Sequence, residues 1–129
     1  MRSARIELGK AAEAAANHHR RVRKRQMYEH VFEPIDIGGI RVPNRTVRTA
    51  HGTGIGGGRL SDDLIAYHEA RARGGFGLTV LEILSVHPSS PGTLNAIDPE
   101  LPAAYAKLMA RLRPYEMRVF QQLWHAGHN

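Results

Sequence analysis

The chain contains no cysteine. That excludes disulfides, thiolate metal sites, iron–sulfur ligation and cysteine nucleophiles, and it agrees with a reducing, cytoplasmic location. Hydrophobic runs are short, and none approaches the ~20 apolar residues that cross a bilayer. Residues 1–27 hold no aromatic side chain. A basic arm on nucleic acid or a membrane surface needs aromatic or apolar anchors beside its charges, so neither partner is expected. The same stretch lacks the apolar centre of a secretory signal, and Glu7 and Glu13 count against an organellar transit peptide. Neither a Ser/His/Asp order nor a paired-carboxylate spacing supports hydrolysis. No metal site is expected, and no catalytic residue is assigned.

The charge present is unevenly placed. Of the net +6, all lies in residues 1–27, where eight Arg or Lys face two Glu; residues 28–129 hold ten charges of each sign. The high isoelectric point therefore describes a leader and says nothing about the body. The division expected is a basic, partly helical and solvated leader over 1–27 and a folded portion over 28–129. A second reading makes Met27 the natural start and the leader an upstream extension.

From residue 28 onward the pattern is that of a packed domain. Residues 31–42 read as two β segments around Gly38-Gly39, a hairpin turn signal. A short strand over 46–50 enters the glycine-rich stretch 52–58. Ser61 then offers an N-cap with Asp62 and Asp63 behind it, predicting a helix that runs to about Arg73 and stops at Gly74-Gly75. Residues 76–84 are apolar apart from Thr79 and Glu82, as a strand buried on both faces requires. Asp98-Pro99-Glu100 predicts a helix start. Leu101, Tyr105, Leu108, Met109 and Leu112 then share one helical face, and Pro114 ends it. Residues 117–123 read as a third strand. The order hairpin, β, α, β, α, β demands parallel strands with right-handed crossovers, so the class is α/β.

Ligands of parallel α/β folds sit at the carboxyl ends of the strands. Three segments fall there: Ala50-His51-Gly52-Thr53, residues 82–86, and residues 122–128. Gly52-x-Gly54-x-x-Gly57 matches the dinucleotide fingerprint, but that motif needs its helix to begin within the glycines so that the N-terminus meets the pyrophosphate. Gly58, Arg59 and Leu60 intervene before the Ser61 cap, which argues against a Rossmann domain. His125 and His128 lack a third zinc ligand of clear spacing and read as loop residues. His51 is either a site residue or a cap. Glu82, inside an apolar strand, reads as a paired structural carboxylate more readily than as a general base.

Three motifs carry a resemblance. Phe32-Glu33-Pro34-Ile35-Asp36-Ile37-Gly38-Gly39-Ile40 with Pro43-Asn44-Arg45 resembles the opening of old yellow enzyme family (NADH:flavin oxidoreductase) proteins. Ala66-Tyr67-His68-Glu69-Ala70-Arg71-Ala72-Arg73-Gly74-Gly75-Phe76-Gly77-Leu78 resembles their first helix and second strand. Gln122-Leu123-Trp124-His125-Ala126-Gly127 resembles the end of their third strand. The His51 loop and residues 82–88 are most similar to the branch containing 2,4-dienoyl-CoA reductases and trimethylamine dehydrogenase. The resemblance implies a partial (β/α)8 TIM barrel, made of the N-terminal hairpin and about three of the eight strands, truncated before the phosphate grip. It implies FMN as cofactor and NAD(P)H as reductant, with an unsaturated carbonyl or an amine as substrate. Thr49, Ala50, His51 and Gly52 would line the flavin, Ile83 would lie against it, and Gln122 would meet its N3–H and a neighbouring carbonyl. Ala50 stands where relatives often carry proline. Gly52 stands where they carry cysteine or another polar residue, so a cysteinyl–flavin bond is excluded. The alternative expectation is a noncatalytic fragment or an interaction module without cofactor.

Overall fold

A computed structural model describes residues 27–90 and 94–127; the leader over 1–26, and His128, lie outside the described residues. The chain divides into two units, Met1–Glu33 and Pro34–Asn129. In the first, Glu29–Phe32 forms a helical turn, α1, which the β-like reading of Val31 did not anticipate. His30 Nδ1 lies 3.4 Å from Glu33, across one turn of that segment.

The second unit opens with the expected hairpin. Strands β1 (Ile35–Ile37) and β2 (Ile40–Val42) pair antiparallel, with Ile37 opposite Ile40. Gly38 and Gly39 turn between them at φ 56° and 82°, a left-handed pair that side chains with a Cβ rarely adopt.

The remaining strands form a parallel sheet. Strand β3 (Val47–Arg48) pairs with β4 (Leu78–Ser85), and β4 pairs on its other side with β6 (Arg118–Trp124). A two-residue strand, β5 (Leu94–Asn95), pairs with the last residues of β4 and was not foreseen. It is defined by its partner: Leu84 stands between Leu94 and Leu123. Each parallel crossover carries one helix. Helix α2 (Asp62–Arg73) joins β3 to β4, and α3 (Leu101–Leu112) lies between β5 and β6.

Both helices bury one face. Leu64, Ile65, His68 and Ala72 are the buried positions of α2, and Leu101, Leu108 and Leu112 those of α3. Apart from His68, they pack with Leu81, Leu84, Leu94 and Met117 into one core. Helix α2 has the expected bounds, because Ser61 Oγ accepts from Leu64 N at 3.3 Å and Asp62 and Asp63 sit in the positive first turn. Helix α3 begins later than the Asp98 cap predicts. The Asp98 carboxylate accepts from Glu100 N at 3.0 Å and its carbonyl accepts from Leu101 N, so the Asp98-Pro99-Glu100 segment closes as a turn. Pro102 takes the early helical position. Met109 is exposed rather than part of the buried face. Past Leu112 the chain continues as a 3₁₀ turn through Pro114.

Two of the motifs meet at the amino ends of the strands. Asn44 Nδ2 donates to Gly75 O at 2.9 Å, while its Oδ1 accepts from Thr46 N at 3.0 Å and from Thr46 Oγ1. Thr46 Oγ1 in turn accepts from Gly77 N at 3.1 Å. A Cβ on Gly77 would lie 2.5 Å from the Asn44 carbonyl oxygen, so only glycine admits this approach. Arg118 Nε reaches Arg41 O at 2.7 Å and ties the hairpin to the start of β6. These motifs are scaffold: they hold the lower ends of β3, β4 and β6 and leave the carboxyl ends for chemistry.

Candidate cofactor site at the carboxyl ends of the strands

Hydrogen bonding fixes which way each strand residue points. On β4, Thr79 Oγ1 lies 3.3 Å from His68 Nδ1 of α2, and Leu81 belongs to the core. Their β6 partners are Val119 and Gln121, and Tyr105 of α3 donates to Gln121 Oε1 at 2.6 Å. These residues therefore face the helices, and by strand alternation Gln122 faces the other side of the sheet. The β4–β6 ladder shifts between Leu81 and Leu84, so Glu82 and Ile83 together stand opposite Gln122.

The two adjacent glutamines have different commitments. Gln121 is spent on structure: besides Tyr105, its Nε2 donates to Glu82 O and to Gln122 O. Gln122 is exposed, and among the described residues its side-chain amide makes no hydrogen bond. One donor and one acceptor are thus presented at the strand's end.

The loop after β3 is stapled to β4 on both sides of Gly52. Ladder pairing of β3 ends at Arg48 opposite Thr79. Beyond that point Arg48, almost fully buried, donates from Nη1 to Val80 O at 2.8 Å and from Nη2 to His51 O and His51 Nε2, both at 3.3 Å. Because arginine only donates, His51 Nε2 accepts and the imidazole holds its proton on Nδ1, 3.4 Å from Thr49 O. On the far side of Gly52, Glu82 accepts from Thr53 N at 2.6 Å and also from Thr53 Oγ1. Glu82 is 2% exposed, and its carboxyl group is engaged structurally, with a threonine as the partner. Arg48 was missed from sequence, and Thr53, though placed in the loop, was not paired with Glu82. The signal available was Glu82 itself, since a carboxylate in an apolar strand demands donors nearby.

Behind the staple lies a buried, polar layer. The Arg48 guanidinium sits 5.3 Å from the Tyr67 ring centre, and Arg71 lies 3.2 Å over the same ring. His68 is fully buried; desolvation first, then the nearby Arg48 charge, lowers its pKa to about 4. Arg48 Nε and His68 Nε2 are buried without a partner.

The residues expected to line a flavin fall at this end of the sheet. Thr49, His51 and Gly52 are exposed and Ala50 is half-buried in the stapled loop, Ile83 is half-buried near the end of β4, and Gln122 is exposed on β6. The glycine-rich stretch turns on itself, with Arg59 N donating to Gly56 O at 3.1 Å, and α2 begins only at Asp62. No helix N-terminus reaches the glycines, as the rejection of a Rossmann motif requires. His125 has His87 as its neighbour. Among the described residues no three His, Asp or Glu side chains group to hold a metal, and no helix is long and apolar enough to cross a membrane.

Parallel strands under crossover helices, with polar groups gathered at the strands' carboxyl ends, define a segment of a parallel α/β fold. Its family follows from comparison. The profile described as the NADH:flavin oxidoreductase / NADH oxidase family matches residues 30–129, and the chain belongs to that family. It is 32% identical over 106 residues to an NADH oxidase of Thermoanaerobacter brockii, covering 78% of this chain and 16% of that protein. The 6-hydroxypseudooxynicotine amine oxidase HisD of Pseudomonas geniculata N1 superposes with a TM-score of 0.69 at 29% identity, over 78% of this chain and 15% of that one. The old yellow enzyme of Trypanosoma cruzi shares the fold, at a TM-score of 0.67 and 19% identity over 78% of this chain and 28% of its own. The chain thus spans under a third of each of these proteins. The fold is the partial TIM barrel expected, and the family's own description names a flavin and NADH.

Proposed function

We propose that these residues furnish one wall of the flavin site in an FMN-dependent, NAD(P)H-linked oxidoreductase of the old yellow enzyme type. The observation that carries the reading is the contrast between Gln121, fully committed, and Gln122, whose amide is exposed and uncommitted opposite Ile83. An acceptor and a donor side by side suit a ring edge that pairs an N–H with a carbonyl. FMN, when bound, supplies the hydride chemistry.

The chain's own part is positional. Gln122 holds the ring edge, Ile83 offers an apolar contact, and Thr49, Ala50, His51 and Gly52 line the ring from a loop that Arg48 and Glu82 keep in place. Gly52 places no side chain between that loop and the ring. The substrate proposed is a small unsaturated carbonyl compound or an amine; the amine arm is supported by the likeness to an amine oxidase. A cytoplasmic location fits the absence of cysteine.

Hydrogen exchange of the full polypeptide carrying these residues, with and without added FMN, tests the assignment. FMN is expected to slow the amides of residues 49–53 and 122 while leaving the hairpin unchanged. Protection spread evenly, or confined to the amino ends of the strands, contradicts it.

A further inference from the structure

We infer that His87 and His125 form a two-donor clip for a small oxyanion, a carboxylate above all, at the rim of this sheet end. The two imidazoles come from different loops, one following β4 and one following β6, and their ring centres are 5.5 Å apart at a tilt of 58°. The loops are locked to each other: Val86 N donates to Trp124 O at 3.1 Å, and Ala126 N donates to Ser90 Oγ at 2.8 Å. Ser90 is fully buried, its carbonyl accepting from Ser85 Oγ. The histidine pair is therefore set by a rigid support rather than by chance approach.

Tautomers decide what the pair can bind. Ser89 N donates to His87 Nδ1 at 3.2 Å, and Gly127 N donates to His125 Nδ1 at 2.9 Å. The Ser89 hydroxyl, 2.8 Å from His87 Nδ1, can take either role, but a backbone N–H has only a proton to give, so both Nδ1 atoms are acceptors, that hydroxyl donates, and both rings carry hydrogen on Nε2. His51 has the opposite tautomer, fixed by Arg48. Metal binding through Nε2 needs that nitrogen bare and favours an Nδ1–H donating to an oxygen behind it. Here the groups behind Nδ1 are themselves donors, so the arrangement disfavours a cation. It presents two exposed N–H groups that no described residue occupies. Neither loop has an acidic residue over 86–90 or 125–127 to repel an anion. A carboxylate has two oxygens to offer, one for each Nε2–H, and a phosphate offers the same pairing.

The clip goes beyond the flavin assignment and does not depend on it. Where that assignment holds, the clip would hold the acid group of a carboxylated substrate beside Gln122. The test uses the full chain without flavin. Long-range ¹⁵N–¹H spectra report the histidine tautomers, and acetate, inorganic phosphate and Zn²⁺ are titrated separately at constant ionic strength. The expected result is Nε2–H on both rings and one saturable curve that moves His87 and His125 together while His30 and His51 stay still. A response to acetate alone marks carboxylate selectivity; equal responses to acetate and phosphate mark a general oxyanion clip. His87→Asn and His125→Asn keep an acceptor for the backbone N–H and remove the outer donor, and each should weaken the acetate response about tenfold. His87→Gln keeps an outer donor and should retain more of it. Nδ1–H tautomers, Zn²⁺ binding without an anion response, movement of every exposed histidine alike, or no movement at all would each overturn the inference.

Discussion

His68 gives the fold a calculable sensitivity to acid. The side chain is fully buried against Thr79, and its pKa falls from 6.5 to about 4, chiefly because burial strips the charged form of water. Above pH 6.5 both folded and unfolded chains hold a neutral imidazole, and this contribution to stability is complete. Between 6.5 and about 4 the unfolded chain takes up the proton and the folded chain does not, so stability falls as the pH drops and levels off below. At ~1.4 kcal/mol per pH unit, the loss from pH 7 to pH 4.5 is about 2.5 kcal/mol. Charging His68 would also set a cation beside Arg48 and Arg71, the guanidinium groups packed on Tyr67, and so strain the staple under the site. Urea unfolding followed by circular dichroism at the two pH values, for the native chain and for His68→Leu, measures the effect. The native chain should lose about 2.5 kcal/mol more than the variant. Equal losses would show that His68 is hydrated or charged in the folded state, and the reasoning about this layer would fail.

Glu82→Leu should destabilise the fold by about 2–3 kcal/mol and speed exchange of the Thr53 amide, because two donors lose a buried acceptor; Thr53→Val, which spares the N–H bond, should cost about half as much. Unchanged Thr53 exchange in Glu82→Leu would remove the staple. Gly77→Ala should cost roughly 1–3 kcal/mol in the same unfolding assay by forcing Asn44 away, and a neutral result would mean that the strand ends give way freely. Residues 1–129 expressed by themselves are expected to leave purification without a full complement of FMN and to oxidise no NAD(P)H, since among the described residues β6 pairs only with β4 and Leu123 is 66% exposed. Flavin absorbance and size-exclusion chromatography check this; a monodisperse chain with one FMN and turnover would refute it.

What the sequence revealed divides along physical lines. Helix α2 was legible because its limits are local: a serine cap, two aspartates, and a pair of glycines. Strand β4 was legible because burial on both faces leaves an apolar run. Strand β5 was not, since two residues gain strand character only from the edge of β4 that they meet. Asp98 misled because its carboxylate serves a turn as readily as a helix cap. At the site, positions at strand ends could be read from the βα order. The Arg48 and Glu82 staples could not, because both join residues about thirty positions apart through side chains that follow no period. Gln122 was picked out from its neighbour by resemblance alone; what the structure shows is that Gln121 is bonded to Tyr105 and to Glu82.

That distinction yields the most direct test of the flavin assignment. FMN affinity is measured by fluorescence quenching for the full polypeptide carrying these residues, for Gln122→Leu and for Gln121→Leu, with the unfolding free energy of each. Gln122→Leu should weaken FMN binding by about 1–3 kcal/mol, roughly 5- to 150-fold, and leave stability nearly unchanged, because the exposed amide holds nothing within the fold. Gln121→Leu should instead lower stability, since the Tyr105 hydroxyl loses its acceptor. Full FMN affinity in Gln122→Leu would contradict the assignment of this strand end as the flavin wall.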